Sequence, residues 1–280
     1  MSVAVLDKTA TGWKAELELT LSLRRGTTVM RRNRSLGPLR VQRPFYPEAN
    51  LPHIYLLHPP GGVVASDQLN IDVVLEAGAQ TLITTPGSTK FYRSAGHTAK
   101  VRQHFFVDKD ACLEWFPQEN IFFPGACADC RTRVDLEHGA KFVGWEINCL
   151  GRPSNRELFD TGVLSARFEI FRQQRPLLRD NLRVVNAFDL NSPTGLRGFP
   201  MMGSFFASGC NQQLKESVQQ QLHQQFDELC CGVTLLDDLL IVRILGHQTE
   251  KIQQIMIPIW QMLRPELLQR PAVLPRIWAT

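Results

Sequence analysis

Lys14-Ala-Glu-Leu-Glu-Leu-Thr-Leu-Ser-Leu23 is the stretch that decides the fold class. Ala15, Leu17, Leu19, Leu21 and Leu23 alternate with Lys14, Glu16, Glu18, Thr20 and Ser22. A period of two puts all five apolar side chains on one face of a strand. Arg25-Gly26 then reads as a turn into a second strand over residues 27–32. Further short strands are expected over 39–43, 54–58, 69–75, 81–84, 101–107, 141–149 and 164–171, with Gly or Pro in nearly every gap. Up to about Val185 the pattern is strand and turn, so the class is mainly β.

Working outward, Leu75-Glu-Ala-Gly78-Ala79-Gln-Thr-Leu82 lines up with Leu136-Glu-His-Gly139-Ala140-Lys-Phe-Val143. Val107-Asp-Lys-Asp110-Ala111-Cys-Leu113 is a degenerate third copy, at offsets of 32 and 29 residues. Each copy reads strand, tight turn, strand, with Gly or Asp where the backbone needs positive φ. Such spacing suggests layers stacked along an axis, as in a solenoid-like two-layer sheet body. The competing reading is chance similarity among hairpins.

After about Asn191 the grammar changes. Leu214, Val218, Leu222 and Phe226 recur every four residues, with Leu229 closing the stripe, so an amphipathic helix is expected, capped by Ser208 or Asn211. A hairpin follows around Asp237-Asp238. A second helix begins near Thr249 and buries Ile252, Ile255, Met256, Ile259 and Leu263. Pro258 is expected to kink it, since an interior proline costs about 3 kcal/mol, and Pro265 to end it. The whole reads as one domain over 1–280: a β body over about 12–190, an α/β part over about 205–265 and an extended tail over 266–280.

With 280 residues, 44% hydrophobic and 21% charged, the chain can bury a large core. A net charge of +4 is too small to imply a polyanionic partner. The arginines at 24, 25, 31, 32, 34, 40 and 43 lack interleaved aromatics, so a solvated face is expected and no nucleic acid. Nothing approaches the roughly 20 apolar residues that span a bilayer, so no membrane partner is expected. The start shows no export pattern and the seven cysteines are irregularly spaced, which points to reduced thiols in a cytoplasmic protein.

Catalytic chemistry is hard to find. His58-Pro-Pro-Gly61-Gly62 has no Lys-Ser/Thr pair after it, and Gly87-Ser88-Thr89 lacks the second glycine of a nucleophile elbow. Cys127 and Cys130, with His138, leave a zinc enzyme as the rival reading, although a structural zinc site wants a second ligand pair. Three blocks instead concentrate aromatics, prolines and single acids: 42–48, 113–125 and 144–153. They read either as buried sheet edges or as a contact surface for another protein.

These blocks resemble the UreD/UreH family of urease accessory proteins. The matching residues are Gly37-Pro38-Leu39-Arg-Val41-Gln42-Arg43-Pro44-Phe45-Tyr46-Pro47 and Tyr55-Leu-Leu-His58-Pro59-Pro60-Gly61-Gly62. They continue through Thr84-Thr85-Pro86-Gly87, Lys90-Phe91-Tyr92-Arg93-Ser94 and Leu113-Glu114-Trp115-x-Pro117-Gln118-Glu119. Cys149-Leu150-Gly151-Arg152-Pro153 and Leu274-Pro275-Arg276-Ile277-Trp278 complete the set. The family usually has glycine where Ala65-Ser66 precede Asp67, so that loop is expected to be stiffer here.

The resemblance implies a superhelical β body with two C-terminal helices. It also implies a non-catalytic partner of a helical UreF-like protein and a UreG-like GTPase, docking on the urease apoprotein while nickel passes through an internal tunnel. No tightly bound cofactor is expected, only Ni²⁺ in transit. Imidazole and thiolate hold Ni²⁺ tightly, whereas single carboxylates with water hold it loosely. One carboxylate about 4 Å away contributes about 4 kcal/mol per unit of cation charge at an effective dielectric of about 20. Asp67, Glu119, Glu146 and Asp180, with His58, are the expected passage residues. The alternative is local duty: Glu146 pairing with an arginine, Asp67 capping a turn. Phe45, Tyr46, Arg152, Arg276 and Trp278 are the expected partner contacts. If the family resemblance misleads, a β-solenoid interaction module is the remaining reading.

Overall fold

A computed structural model describes residues 12–225 and 230–279. The chain opens with β1 (Lys14–Arg24), β2 (Thr27–Leu36), β3 (Arg40–Val41) and β4 (His53–Leu57). Stacked coils follow. The first holds β5 (Gln68–Leu75), β6 (Gln80–Thr84) and β7 (Thr89–Phe91), and the second β8 (Ala99–Val107), β9 (Cys112–Phe116) and β10 (Asn120–Phe122). The third holds β11 (Cys127–Leu136) and β12 (Lys141–Leu150). A hairpin of β13 (Val163–Arg172) and β14 (Arg175–Val184) leads to α1 (Ala187–Asn191). Then come β15 (Met201–Ser208), α2 (Gln212–Gln225), β16 (Cys230–Leu236), β17 (Leu239–Gly246) and α3 (Thr249–Leu268).

The coils stack because equivalent strands pair in parallel. One sheet runs β14-β13-β11-β8-β5-β1-β2, parallel in the middle and closed by antiparallel hairpins at both ends. The other runs β16-β17-β15-β12-β9-β6-β4-β3, parallel from β4 to β12 and antiparallel beyond it. The sequence repeat is the turn between the two sheets in successive coils. Gly78, Asp110 and Gly139 all have positive φ, of 70°, 55° and 71°. Their turns bond to one another: the Gly78 N–H donates to Lys109 O at 2.9 Å, and the Asp110 N–H to His138 O at 3.1 Å. Gly139, with its φ of 71°, sits in the left-handed region that glycine adopts without strain, and the Asp110 carboxylate packs directly against it.

The two sheets meet across a core that includes Leu17, Leu19, Phe105, Trp115, Phe142 and Phe206. The first sheet is buried on one face only, which is why its strands alternate so cleanly. The second is also covered on its outer face by α2 and α3, through Trp145, Phe205, Val242, Ile259 and Trp260. Buried on both sides, it carries nearly continuous apolar runs.

Several expectations change. Leu23 is 43% exposed, whereas Ala15, Leu17, Leu19 and Leu21 are buried. A register shift between Thr20 and Leu21 turns the end of β1, and Ser22 takes the inward place, bonding Glu76 at 2.5 Å. Asn211 caps α2, its side-chain oxygen accepting from the Leu214 N–H at 2.9 Å. Phe226 and Leu229 lie outside the described residues. α3 buries the predicted stripe but does not stop at Pro265; it runs to Leu268 and closes on Gln269, whose φ is 54°. Burial of Leu263, Arg264 and Leu267 offsets the proline penalty there. α3 takes up the start of the expected tail, residues 271–275 carry no regular structure, and Arg276–Ala279 form a short 3-10 helix. The arginines of β2 form the solvated face that was expected, Arg32 and Arg34 pairing with Glu18 at 2.6 and 3.4 Å.

The bend in β1 separates two leucines that the alternation treats alike. Leu19→Ala is expected to cost about 2–5 kcal/mol in chemical denaturation, and Leu23→Ala less than about 1 kcal/mol.

Candidate functional site: a polar cavity between the sheets

The apolar core does not close completely. A cavity of about 450 Å³ lies between the sheets, lined mostly by apolar residues such as Leu56, Ile71, Trp115 and Phe168, with His58, Gln103, Thr132 and Glu146 among its polar lining. Strand register puts the polar groups there. Across the first sheet Ile71, Gln103, Thr132, Phe168 and Asp180 are direct neighbours. Across the second, Glu146 faces Ser204, which faces Arg243. Both rows point inward, so a polar band crosses an otherwise apolar interior.

Within it the neutral groups satisfy one another. The Thr132 hydroxyl donates to Gln103 Oε1 at 2.9 Å, and Asn120 Nδ2 donates to Asn148 Oδ1 at 3.1 Å. Glu146 is different. Desolvation, reinforced by the nearby Asp180 charge, pushes its carboxyl up to about 7, against the opposing pull of Asn148 and Arg243. The Arg243 guanidinium is committed elsewhere, to Asp180 Oδ2 at 2.6 Å and Ser204 Oγ at 2.5 Å. Burial holds the His58 imidazole below its ordinary range, while Asp67 pulls the other way.

Asp180 is therefore an ion-pair partner rather than an isolated acid. Asp67 caps a turn, its carboxylate accepting the N–H groups of Trp13 at 2.8 Å and Val64 at 2.9 Å. Ala65 in that turn has a φ of 43°, a left-handed backbone in which glycine would be free of strain. Glu119 accepts from the Ser88 hydroxyl at 2.7 Å, beside the cavity wall. The structure thus brings His58 and Glu146 to one cavity, sets Asp180 next to Glu146, and puts Asp67 and Glu119 in its supporting loops.

The aromatic blocks divide. Trp115, Phe116, Phe122 and Trp145 are core, whereas Phe45 and Tyr46 are 45% and 40% exposed on one loop. Arg152 is held by Glu157 at 2.6 Å and lies over the Phe123 ring. Trp278 is half-buried among Phe116, Trp145 and Trp260, and Arg276 beside it is exposed. Cys127 and Cys130 lie three apart on β11, so their side chains leave opposite faces and cannot close on one ion. Among the described residues no group of three potential metal ligands comes together, and no helix is long and apolar enough to cross a membrane.

A second polar cluster escaped sequence reasoning. Arg264 of α3 is fully buried, and its five N–H donors all find acceptors. Nε bonds Glu114 Oε1 at 2.9 Å and Nη2 bonds Glu114 Oε2 at 2.9 Å. The two Nη groups also hold Glu48 at 2.9 and 2.8 Å, and Nη1 donates to the Pro271 carbonyl. Trp260 Nε1 donates to Glu114 at 2.6 Å, and His53 Nε2 meets Glu48 at 2.9 Å. Burial works to raise the Glu48 carboxyl, but the bonds from His53 and Arg264 outweigh it and leave it below its ordinary range. The available signal was an arginine one turn beyond Trp260, next to the apolar stripe, and a glutamate inside the apolar run 112–116.

A stacked-coil body with a cavity between its two sheets is what these elements define, and comparison with known proteins gives its class. The profile of the family described as "UreD urease accessory protein" matches residues 14–279. A urease accessory protein UreD of Alcanivorax borkumensis is 52% identical over 273 residues, covering 96% of this chain and 93% of that protein. Relatives of the same name from Vibrio parahaemolyticus and Pseudomonas putida are 45% and 44% identical, covering 98% and 96% of this chain and 99% and 95% of their own lengths. The chain is a urease accessory protein, a factor that supports urease maturation. Within that class it belongs to the UreD family.

Two outcomes test the site. Arg264→Met leaves two buried carboxylates without their cation, so unfolding free energy should fall by about 3–5 kcal/mol in a urea titration. Glu146 holds its proton more tightly in the folded chain than in the unfolded one, where its value is near 4.5. Its contribution to stability is therefore undiminished below about 4.5 and is lost as pH rises toward about 7. Stability curves of the native chain and Glu146→Gln should diverge over that window, the native chain losing more as pH rises.

Proposed function

We propose that this chain is a non-catalytic maturation scaffold that docks on apo-urease with a helical UreF-like protein and a UreG-like GTPase, and that nickel crosses it through the cavity between the sheets. The near full-length family match supports the maturation role. The observation that carries the nickel reading is Glu146, a lone carboxyl set in a hollow interior among neutral hydrogen-bonding groups.

That chemistry suits transit. Gln103, Thr132 and Asn120 offer oxygen atoms in place of part of a hydration shell, and oxygen donors hold Ni²⁺ more weakly than imidazole or thiolate. Glu146 supplies one compensating charge. With a pKa near 7 it gains a negative charge when a dication displaces its proton and can take the proton back as the ion leaves. His58, its pKa depressed by burial, is neutral and also lines the cavity. Phe45 and Tyr46 on their exposed loop, with Arg276, are the residues offered to partners.

The test is genetic. Cells lacking this chain should assemble urease that is poor in nickel by elemental analysis. Cells carrying Glu146→Ala should show lowered urease activation while the variant still copurifies with its partners. Nickel-replete urease in the deletion strain would refute the maturation role. Full activation with Glu146→Ala would refute the passage.

A further inference from the structure

Arg243 lies where the interior meets the outside. Its side chain lines a shallow outer groove together with Thr194, Gly195, Arg197 and Cys230. Its guanidinium reaches inward to Asp180 of the opposite sheet and to Ser204 of its own. Ser204 is the cross-strand neighbour of Glu146, and Glu146 lines the cavity. Arg243 thus lines the groove and Glu146 the cavity, with Ser204 joining them by strand pairing and Asp180 by its ion pair to Arg243 and its charge effect on Glu146. The guanidinium also lies 5.8 Å from the Phe206 ring centre, which helps keep it over the gap.

We propose that Arg243 is the gating residue of one mouth of the nickel passage: paired with Asp180 and Ser204 beside Glu146, it holds, as a built-in monocation, the place that a departing or entering dication must cross. This rests on the passage reading and adds its regulation.

The charges give the reason. Glu146 and Asp180 together carry two negative charges when ionised, and Arg243 cancels one. With the arginine in place, a dication at Glu146 meets a net single negative charge, feels a fixed cation nearby and is not retained. If the arginine swings outward into the groove, both carboxylates and the Ser204 hydroxyl become available to one ion, a harder all-oxygen site of higher affinity. The long, flexible arginine side chain, 32% exposed and anchored by one carboxylate and one hydroxyl, is suited to such a swing. The contrast with Arg264 is direct. That arginine is fully buried with every donor used and is a fixed strut.

The experiment measures Ni²⁺ binding to the purified full chain by equilibrium dialysis. Arg243→Met should bind Ni²⁺ on the order of tenfold more tightly than the native chain, because the competing cation is gone. Adding Glu146→Gln to that variant should abolish the gain, and Arg243→Lys, which keeps a cation at the mouth, should remain near native affinity. Asp180→Asn leaves Arg243 free to turn on Glu146 and should bind more weakly than native. That variant keeps the test decisive if Arg243→Met does not fold. In cells, Arg243→Met should lower urease activation by retaining the ion.

Equal affinity of Arg243→Met and native protein would overturn the gate, as would native affinity in Asp180→Asn where Arg243→Met is insoluble. Either result leaves the passage standing if Glu146→Ala still impairs urease activation. A gain in affinity with Arg243→Met alongside full activation by Glu146→Ala would uphold the cation position at Arg243 and remove the passage reading instead.

Discussion

Two sheets stacked face to face must fill the space between them, and in this chain a row of polar side chains prevents the filling from being completed. Buried polar groups are tolerated only when they are hydrogen-bonded or hydrated. Gln103 with Thr132 and Asn120 with Asn148 meet the first condition. Glu146, bonded by Asn148 but desolvated and close to the Asp180 charge, has a carboxyl displaced to about 7. The register of the parallel coils puts these groups in line, because equivalent positions on β5, β8, β11 and β13 are direct neighbours. The cavity is thus a product of the same stacking that makes the fold.

The rest of the molecule keeps that interior open without letting it collapse. The Glu114–Arg264–Glu48 cluster ties α3 and the tail to the second sheet and to the 42–53 loop from the side opposite the cavity. A buried ion pair of this kind is weak evidence for net stability, but removing one partner is costly, so it fixes one docking position for the helix. Trp278 reinforces the same seam by entering the aromatic group of Phe116, Trp145 and Trp260. The two arginines of the polar interior therefore divide the labour, one immobile beneath the helix and one at the rim.

Legibility in the sequence follows burial only in part. In the first sheet β1, β5 and β8 alternate and were found with nearly correct ends, whereas β11 and β14 were not placed as strands. Strands of the second sheet lie between two apolar layers. Residues 112–116 and 201–208 carry no period of two: β9 was anticipated only as the second strand of the 107–113 turn copy and β15 not at all, although β4, β6 and β12 of the same sheet were placed. The turn repeat was visible because stacking demands positive φ at Gly78, Asp110 and Gly139, and only a few residues supply it. Of the interior site, Glu146, Asp180 and His58 were legible as acids or imidazole within motif blocks. Ser204 and Arg243 were not, since they come beside Glu146 only through successive antiparallel pairings, Ser204 with Glu146 and Arg243 with Ser204, between strands far apart in the chain. Cys127 and Cys130 mislead in the other direction: spacing that suits a loop chelate is defeated by the alternation of a strand.

The central claim is that the interior admits a divalent cation at Glu146. Anomalous diffraction at the nickel edge, from crystals of the native chain soaked in millimolar nickel, examines it directly. The account predicts an anomalous peak inside the cavity within coordinating reach of the Glu146 carboxylate. Peaks confined to surface histidines such as His223, with the space between the sheets free of nickel, would contradict it.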